Sequence, residues 1–138
     1  MEDSEIQEIL QRARVIAVVG LSPREDRPSY RVASYLKGCG YRIIPVNPAV
    51  QEVLGERAYG SLGEIPDSIE VDVVDVFRRP EDTPAIAEEA VARKARVLWL
   101  QEGIVSREAK DIASAAGLQV VMDRCMLKEH KRLVKPGA

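Results

Sequence analysis

Val15-Ile-Ala-Val-Val-Gly20-Leu-Ser22-Pro23 is a short apolar run that stops at a glycine, and its reading decides the fold. Every side chain from Val15 to Val19 is β-branched or small and apolar, the pattern of a strand covered on both faces. Gly20 allows a tight turn, and its missing Cβ is expected to let backbone approach an anion. The segment up to Pro28 is polar, and a helical pattern begins near Ser29-Tyr30. Strand, glycine, polar loop and helix together form a device for holding phosphate, with loop N–H groups and the positive end of the helix dipole facing the anion.

Outward from that loop, strands alternate with helices. Upstream, Ile6, Ile9, Leu10 and Ala13 fall at helical spacing, with Asp3 or Ser4 placed as the N-cap. Downstream, Tyr30 to Lys37 predicts a helix ended by Gly38 and Gly40, then Tyr41-Arg-Ile-Ile-Pro-Val46 a second strand stopped by Asn47-Pro48. Pro45 is tolerable near that strand's end where no ladder donor is needed. Residues 50–66 are less regular, with a turn at Val53-Leu54-Gly55 and one helical turn between Ser61 and Ile65. A third strand spans Val71 to Phe77, and Pro80 opens a helix continued by Ala85, Ile86, Ala90 and Val91. A fourth strand at Val97–Leu100, a helix at Ser106–Ala116, a fifth strand at Leu118–Met122 and a short surface helix from Met126 to Leu133 complete the pattern. The spacing is that of βαβ units. It predicts an α/β fold, a single domain over residues 1–138, built as a three-layer, Rossmann-like doubly wound sheet of five parallel strands in the order 3-2-1-4-5.

Composition narrows the functional classes. At 138 residues the chain can bury one sizeable core. Hydrophobic residues at 46% and charged residues at 30% describe an ordinary soluble globular protein. A net charge of -2, one Phe and one Trp offer neither a basic stripe nor a stacking surface for nucleic acid. No apolar segment approaches a membrane span, and Asp3, Glu5 and Glu8 near the N-terminus exclude a secretory signal. Cys39 and Cys125 lie far apart without metal-site or disulfide spacing, so a cytoplasmic protein with reduced thiols is expected.

In an open α/β sheet the ligand crevice lies beyond the carboxyl ends of the strands, at the point where strand order reverses. Those ends read Gly20-Leu-Ser-Pro23, Val46-Asn-Pro48, Phe77-Arg-Arg-Pro80, Gln101-Glu-Gly103 and Asp123-Arg-Cys125. Any single strand must end in turn residues. Five polar, glycine-rich ends together, with Arg24, Arg27 and Arg78 among them, point to a ligand crevice. A dinucleotide loop would read GxGxxG, with an acidic residue ending the second strand; here Gly20 is followed by Leu21-Ser22-Pro23 and that strand ends at Asn47. No GK[ST] loop occurs either. What remains is a phosphate-rich, adenine-containing nucleotide held by a Gly-Ser loop and arginines.

Gly20-Leu-Ser-Pro23, Tyr30-Arg-Val-Ala-Ser-Tyr-Leu36, Gly40-Tyr-Arg-Ile-Ile-Pro-Val-Asn-Pro48, Asp75-Val-Phe-Arg78, Val97-Leu-Trp-Leu-Gln-Glu-Gly103 and Val121-Met-Asp-Arg-Cys125 with Glu129-His130 resemble the small CoA-binding proteins. These are stand-alone relatives of the CoA-binding domain in the α subunit of succinyl-CoA synthetase. The resemblance runs from about Ile9 to Leu133 and implies a Rossmann-like fold that binds coenzyme A, with no established catalytic activity for the small members. It implies that Gly20, Leu21 and Ser22 form the phosphate loop, with Arg24 and Arg27 meeting the 3′- or pyrophosphate charges. Ser29 and Tyr30 open the following helix. Asn47 and Pro48, after Val46, would flank the adenosine. Phe77 and Arg78 would border the ring or its ribose, and Gln101, Glu102 and Gly103 would face the pantetheine arm. The synthetase also needs a second domain bearing a phosphorylated histidine, and this chain has only His130, so ligase chemistry does not carry over.

Other residues read more plainly. His130 and the run Lys128–Arg132 suit a solvated, C-terminal helix face that complements the helix dipole, and Trp99 suits core or interface packing. Cys39 reads as a small packing residue. Cys125 follows the fifth strand beside Arg124, before a helix start, a setting that favours thiolate. Two functions are therefore carried forward: a non-enzymatic module binding CoA or an acyl-CoA as carrier or sensor, and an acyl-CoA-acting or CoA-thiol redox enzyme using Cys125. One histidine and no paired carboxylates favour the binder.

Overall fold

The computed structural model describes residues 1–134. Two apolar faces of one parallel sheet organise it. β1 (Val15–Val19), β2 (Arg42–Val46), β5 (Val73–Val76), β6 (Val97–Leu100) and β7 (Gln119–Val121) form the sheet. Between β2 and β5 lies a small hairpin, β3 (Glu52–Val53) and β4 (Glu56–Arg57), whose turn residues Leu54 and Gly55 both take positive φ. One face of the sheet, with Ile16, Val18, Val73 and Trp99, is covered by α1 (Asp3–Arg12), α2 (Pro28–Gly38) and α5 (Met126–Leu133). The other, with Ala17, Val19, Val74 and Leu98, is covered by α3 (Thr83–Ala92) and α4 (Arg107–Ala115) through the small side chains Ala87, Ala90, Ala109 and Ala113. Strands buried on both faces explain why their sequences run apolar without alternation.

The three layers and five parallel strands are as expected, but the strand order is not. Counting only those strands, the order is 2-1-3-4-5 rather than 3-2-1-4-5, because β5 pairs with the free edge of β1 from Ile16↔Val73 to Val19↔Val76. Pro45 explains the difference. Its carbonyl accepts from the Tyr59 N–H at 3.0 Å on the outer side of β2, and in a parallel ladder the residue's amide nitrogen faces the same way. Proline has no hydrogen to offer there, so β2 is confined to the edge. Among the described residues a single isolated bridge, Val46↔Tyr59, joins it on that side.

The β2–β5 connection has no crossover helix, and one side chain pins it. Arg93, at the C-terminus of α3, donates to the carbonyls of Leu62 (3.3 Å), Ile65, Pro66 (2.8 Å) and Ile69 (2.9 Å). Its side chain is 8% exposed. The Leu62 and Pro66 carbonyls also accept the Ile65 and Ile69 N–H groups, whereas for the Ile65 and Ile69 carbonyls the planar guanidinium is the one donor among the described residues.

Two local expectations are corrected. The N-cap of α1 is Glu2, in a capping box with Glu5, rather than Asp3 or Ser4. In α5 the charged face is exposed at Lys128, Lys131 and Arg132 as expected, but Glu129 and His130 are not on it: with Met126 they are buried against α1 and α2. His130 Nδ1 lies 2.8 Å from the Tyr35 hydroxyl, and the ring sits edge-on to Tyr35 and Tyr41. Arg132 closes the seam with bonds to Asp3 (2.8 and 3.0 Å) and Glu129 (2.7 Å).

Arg93→Ala should lower the unfolding free energy by on the order of 3 kcal/mol, since it strands the Ile65 and Ile69 carbonyls. Arg93→Lys should recover only part of the loss, because an ammonium lacks the fork. Urea melts of the two variants check this.

Candidate functional site

The chain leaves β1 toward β2 and returns on the other side at β5, so the strand order reverses between β1 and β5. Gly20 ends β1 at that point with φ +88°, and a Cβ on it would lie 2.4 Å from the Phe77 carbonyl oxygen. What the missing side chain makes room for is therefore the end of β5. The Gly20 N–H meanwhile donates to the Val46 carbonyl at 2.9 Å, so one residue joins the tips of three strands.

The loop that follows is braced from within. The Ser22 N–H donates to Ser29 Oγ at 3.0 Å, and the Arg24 N–H to Ser22 Oγ at 3.1 Å. Asn47 Nδ2 donates to the Leu21 carbonyl at 3.0 Å. α2 then starts with Arg27 as N-cap and Pro28 in its first turn, leaving the other first-turn N–H groups without intrahelical acceptors.

These elements wall a crevice of about 850 Å³. Of the residues expected at a site, Gly20, Ser22, Arg27, Ser29, Phe77, Arg78, Gln101, Glu102 and Cys125 line it. Val46 and Pro48 line a separate hollow of about 410 Å³ that shares Arg78 and Arg79 with the crevice. Leu21, Arg24, Tyr30, Asn47 and Gly103 line neither. Leu21 is buried in the core, Arg24 is turned to Asp26 at 3.5 Å, and the Gly103 N–H is bound by Asp123 Oδ1 at 2.7 Å. Sequence reading placed Arg79 and Pro80 at a strand end beside the crevice without giving them a role and missed Asp82; all three line the crevice just after β5. Their signal was adjacency to Phe77-Arg78.

The electrostatics are asymmetric. Both carboxylates on the crevice wall are engaged, Asp82 by Arg79 at 3.3 Å and Glu102 by Lys128 at 2.9 Å. Arg27 and Arg78 have no ion-pair partner among the described residues. Their positive charge and the N-terminus of α2 face the same space. Cys125 stands at the N-cap of α5, on a backbone held by the Trp99 indole N–H, which donates to the Arg124 carbonyl at 2.8 Å. Among the described residues no group of side chains could hold a metal ion, and no helix is long and apolar enough to cross a membrane.

Sequence reading also gave no role to Asp75, which lies behind Gln101 and does not itself line the crevice. Asp75 lies in β5 between Val18 and Trp99 and is fully buried. Oδ1 accepts from Gln101 Nε2 at 2.5 Å, and Oδ2 has no partner among the described residues. Burial pushes its carboxyl up to about 7, against the lowering effect of the Gln101 bond.

A parallel sheet of this order, with a glycine turn and a helix N-terminus at its switch point, defines the class of doubly wound α/β proteins that hold ligands across their strand ends. Within that class the chain belongs to the CoA binding domain family, which it matches over residues 14–131. An uncharacterized protein of Bacillus subtilis (strain 168), YneT, is 48% identical over 127 residues, covering 92% of this chain and 93% of its own. A hypothetical protein from Pyrococcus horikoshii OT3 superposes with a TM-score of 0.93 at 42% identity, over 97% of this chain and 93% of that one. An ADP-forming acetate–CoA ligase of Archaeoglobus fulgidus is 27% identical over 124 residues, 82% of this chain but 18% of the ligase.

Two expectations follow from this geometry. Gly20→Ala should cost on the order of 1–3 kcal/mol, because the new Cβ meets backbone and the φ is left-handed; thermal melts should show the loss with no ligand present. Asp75 makes stability fall with pH. From about pH 4 to about pH 7 the folded chain keeps a proton that the unfolded chain releases, so stability is greatest below that window and levels off above it. Denaturant melts across the window should show this slope in the wild type and lose it in Asp75→Asn.

Proposed function

We propose that the protein binds coenzyme A or an acyl-CoA across the C-terminal edge of its sheet, with phosphates beside the Gly20–Ser22 loop, facing Arg27, Arg78 and the N-terminus of α2, and works as a binding module rather than an enzyme. The observation that carries this reading is the pair Arg27 and Arg78, left without carboxylate partners beside the N-terminus of α2. Uncompensated guanidinium groups and first-turn N–H groups facing one space favour a polyphosphate. A crevice of about 850 Å³ has the size of a site for a large small-molecule ligand. The adjoining hollow at Val46 and Pro48 suits the adenosine, and the wall from Gln101 and Glu102 to Cys125 suits the pantetheine arm. Family membership and the likeness to part of an acetate–CoA ligase support the same ligand. The case for a module without turnover rests on the crevice carboxylates, both held in ion pairs, and on the single histidine, packed against Tyr35 beneath α5. Neither is placed as a general base.

CoA should raise the melting temperature through linkage, by about 2.7 kcal/mol of stabilisation at a hundredfold excess over Kd. NAD at the same concentration should do little, since the loop lacks GxGxxG and β2 ends at Asn47. Equal stabilisation by both ligands, measured by thermal shift, would overturn the reading.

A further inference from the structure

A carboxyl group buried among valines and a tryptophan, with one oxygen unpartnered, weakens the fold that contains it. Val73, Val74 and Val76 show what β5 otherwise holds. The one described contact of Asp75 beyond packing is Gln101, and Gln101 reaches the crevice although Asp75 does not. The Gln101 amide is held at both ends. The Met126 N–H can only donate, so the atom it meets at 3.4 Å is the amide oxygen. The nitrogen must then face Asp75, where Oδ1 takes one of its two hydrogens. The second has no acceptor among the described hydrogen bonds, on a side chain that is 3% exposed and lines the crevice.

We propose that Asp75 is a positioning residue: it turns the Gln101 amide so that one N–H hydrogen faces the crevice and selects a ligand arm bearing a carbonyl acceptor. This rests on the CoA reading above, and the arm is the amide-containing pantetheine chain. An unturned amide would present its oxygen instead and repel a carbonyl. A leucine-like wall would leave the carbonyl without the hydrogen bond it makes in water, which is how a buried donor discriminates. Asp75 therefore acts on the arm through Gln101 and leaves the phosphate loop alone.

The test uses the whole protein and two ligands in calorimetric titrations: CoA, and adenosine 3′-phosphate 5′-diphosphate, the same nucleotide without the arm. Asp75→Val and Gln101→Leu should each weaken CoA about tenfold while leaving the armless nucleotide unchanged. Asp75→Asn keeps an acceptor oxygen for Gln101 and should bind CoA as the wild type does. Asp75→Val should melt no lower than the wild type, which separates a lost hydrogen bond from a lost fold. The inference is overturned if Asp75→Val binds CoA like the wild type, if it weakens both ligands alike, or if Asp75→Asn is as impaired as Asp75→Val. A wild-type protein that binds neither ligand overturns the CoA reading, and this inference with it.

Discussion

Everything at the functional edge depends on how closely the end of β1 approaches the end of β5. Gly20 is where they meet, and a single added carbon would overlap the Phe77 carbonyl. That contact sets the width of the switch point, which in turn sets where the loop to α2 leaves the sheet and where Arg78 emerges from β5. The Gly20 N–H on the Val46 carbonyl adds β2 to the same junction. With three strand tips fixed to one residue, the Ser22–Ser29 hydrogen bond needs only to hold a short loop in register with the helix. The result is a preorganised rim, in which little backbone entropy remains to be lost when a ligand arrives.

The interior is divided between groups that hold the fold and groups that the fold merely tolerates. Arg93 belongs to the first kind. Buried and forked, it donates to four carbonyls of a connection that has no α-helix and satisfies two of them, Ile65 and Ile69, that lack a backbone donor among the described residues. The Tyr35–His130 and Arg132–Asp3 contacts belong there as well, since they seal α5 to the helices beside it. Asp75 is of the second kind: its unpaired oxygen stabilises nothing among the described residues, and its one polar bond leads to the crevice. A buried polar group that the fold does not need is where a link to the ligand is best sought.

The charge pattern of the rim differs from that of the chain as a whole. The chain's net charge of -2 shows no cationic character, yet the crevice presents Arg27 and Arg78 without compensation, while its acids are matched by Arg79 and Lys128. The positive character of the crevice is thus a property of pairing rather than of composition. In a relative such as the acetate–CoA ligase, the homologous region is 18% of a much larger chain; here it stands across nearly the whole sequence.

Sequence by itself determined the layers and the loop. Runs such as Val15–Val19 and Val97–Leu100 are short, continuously apolar and bounded by turn residues, as strands covered on both faces must be, and Gly20 before a polar stretch and a helix marks the switch-point turn. It also held the clue to the strand order, since Pro45 bars an outer partner for β2, but that clue acts only once the direction of its carbonyl is known. Tertiary structure decided what depends on distant residues meeting. Leu21 reads as loop and is core; Arg24 turns to Asp26, whereas Arg27 faces the crevice. His130, in a run of charges, is buried because Tyr35, 95 positions away, supplies a partner. Asp75 reads as an ordinary strand position, and finds a polar partner beside the crevice only because the chain leaving β6 brings Gln101 to it and the Met126 N–H of α5 fixes which end of that amide faces it. Local sequence encodes backbone conformation through short-range sterics and periodicity. Which polar groups end up paired is set by contacts between elements far apart in the chain, and no local pattern carries that information.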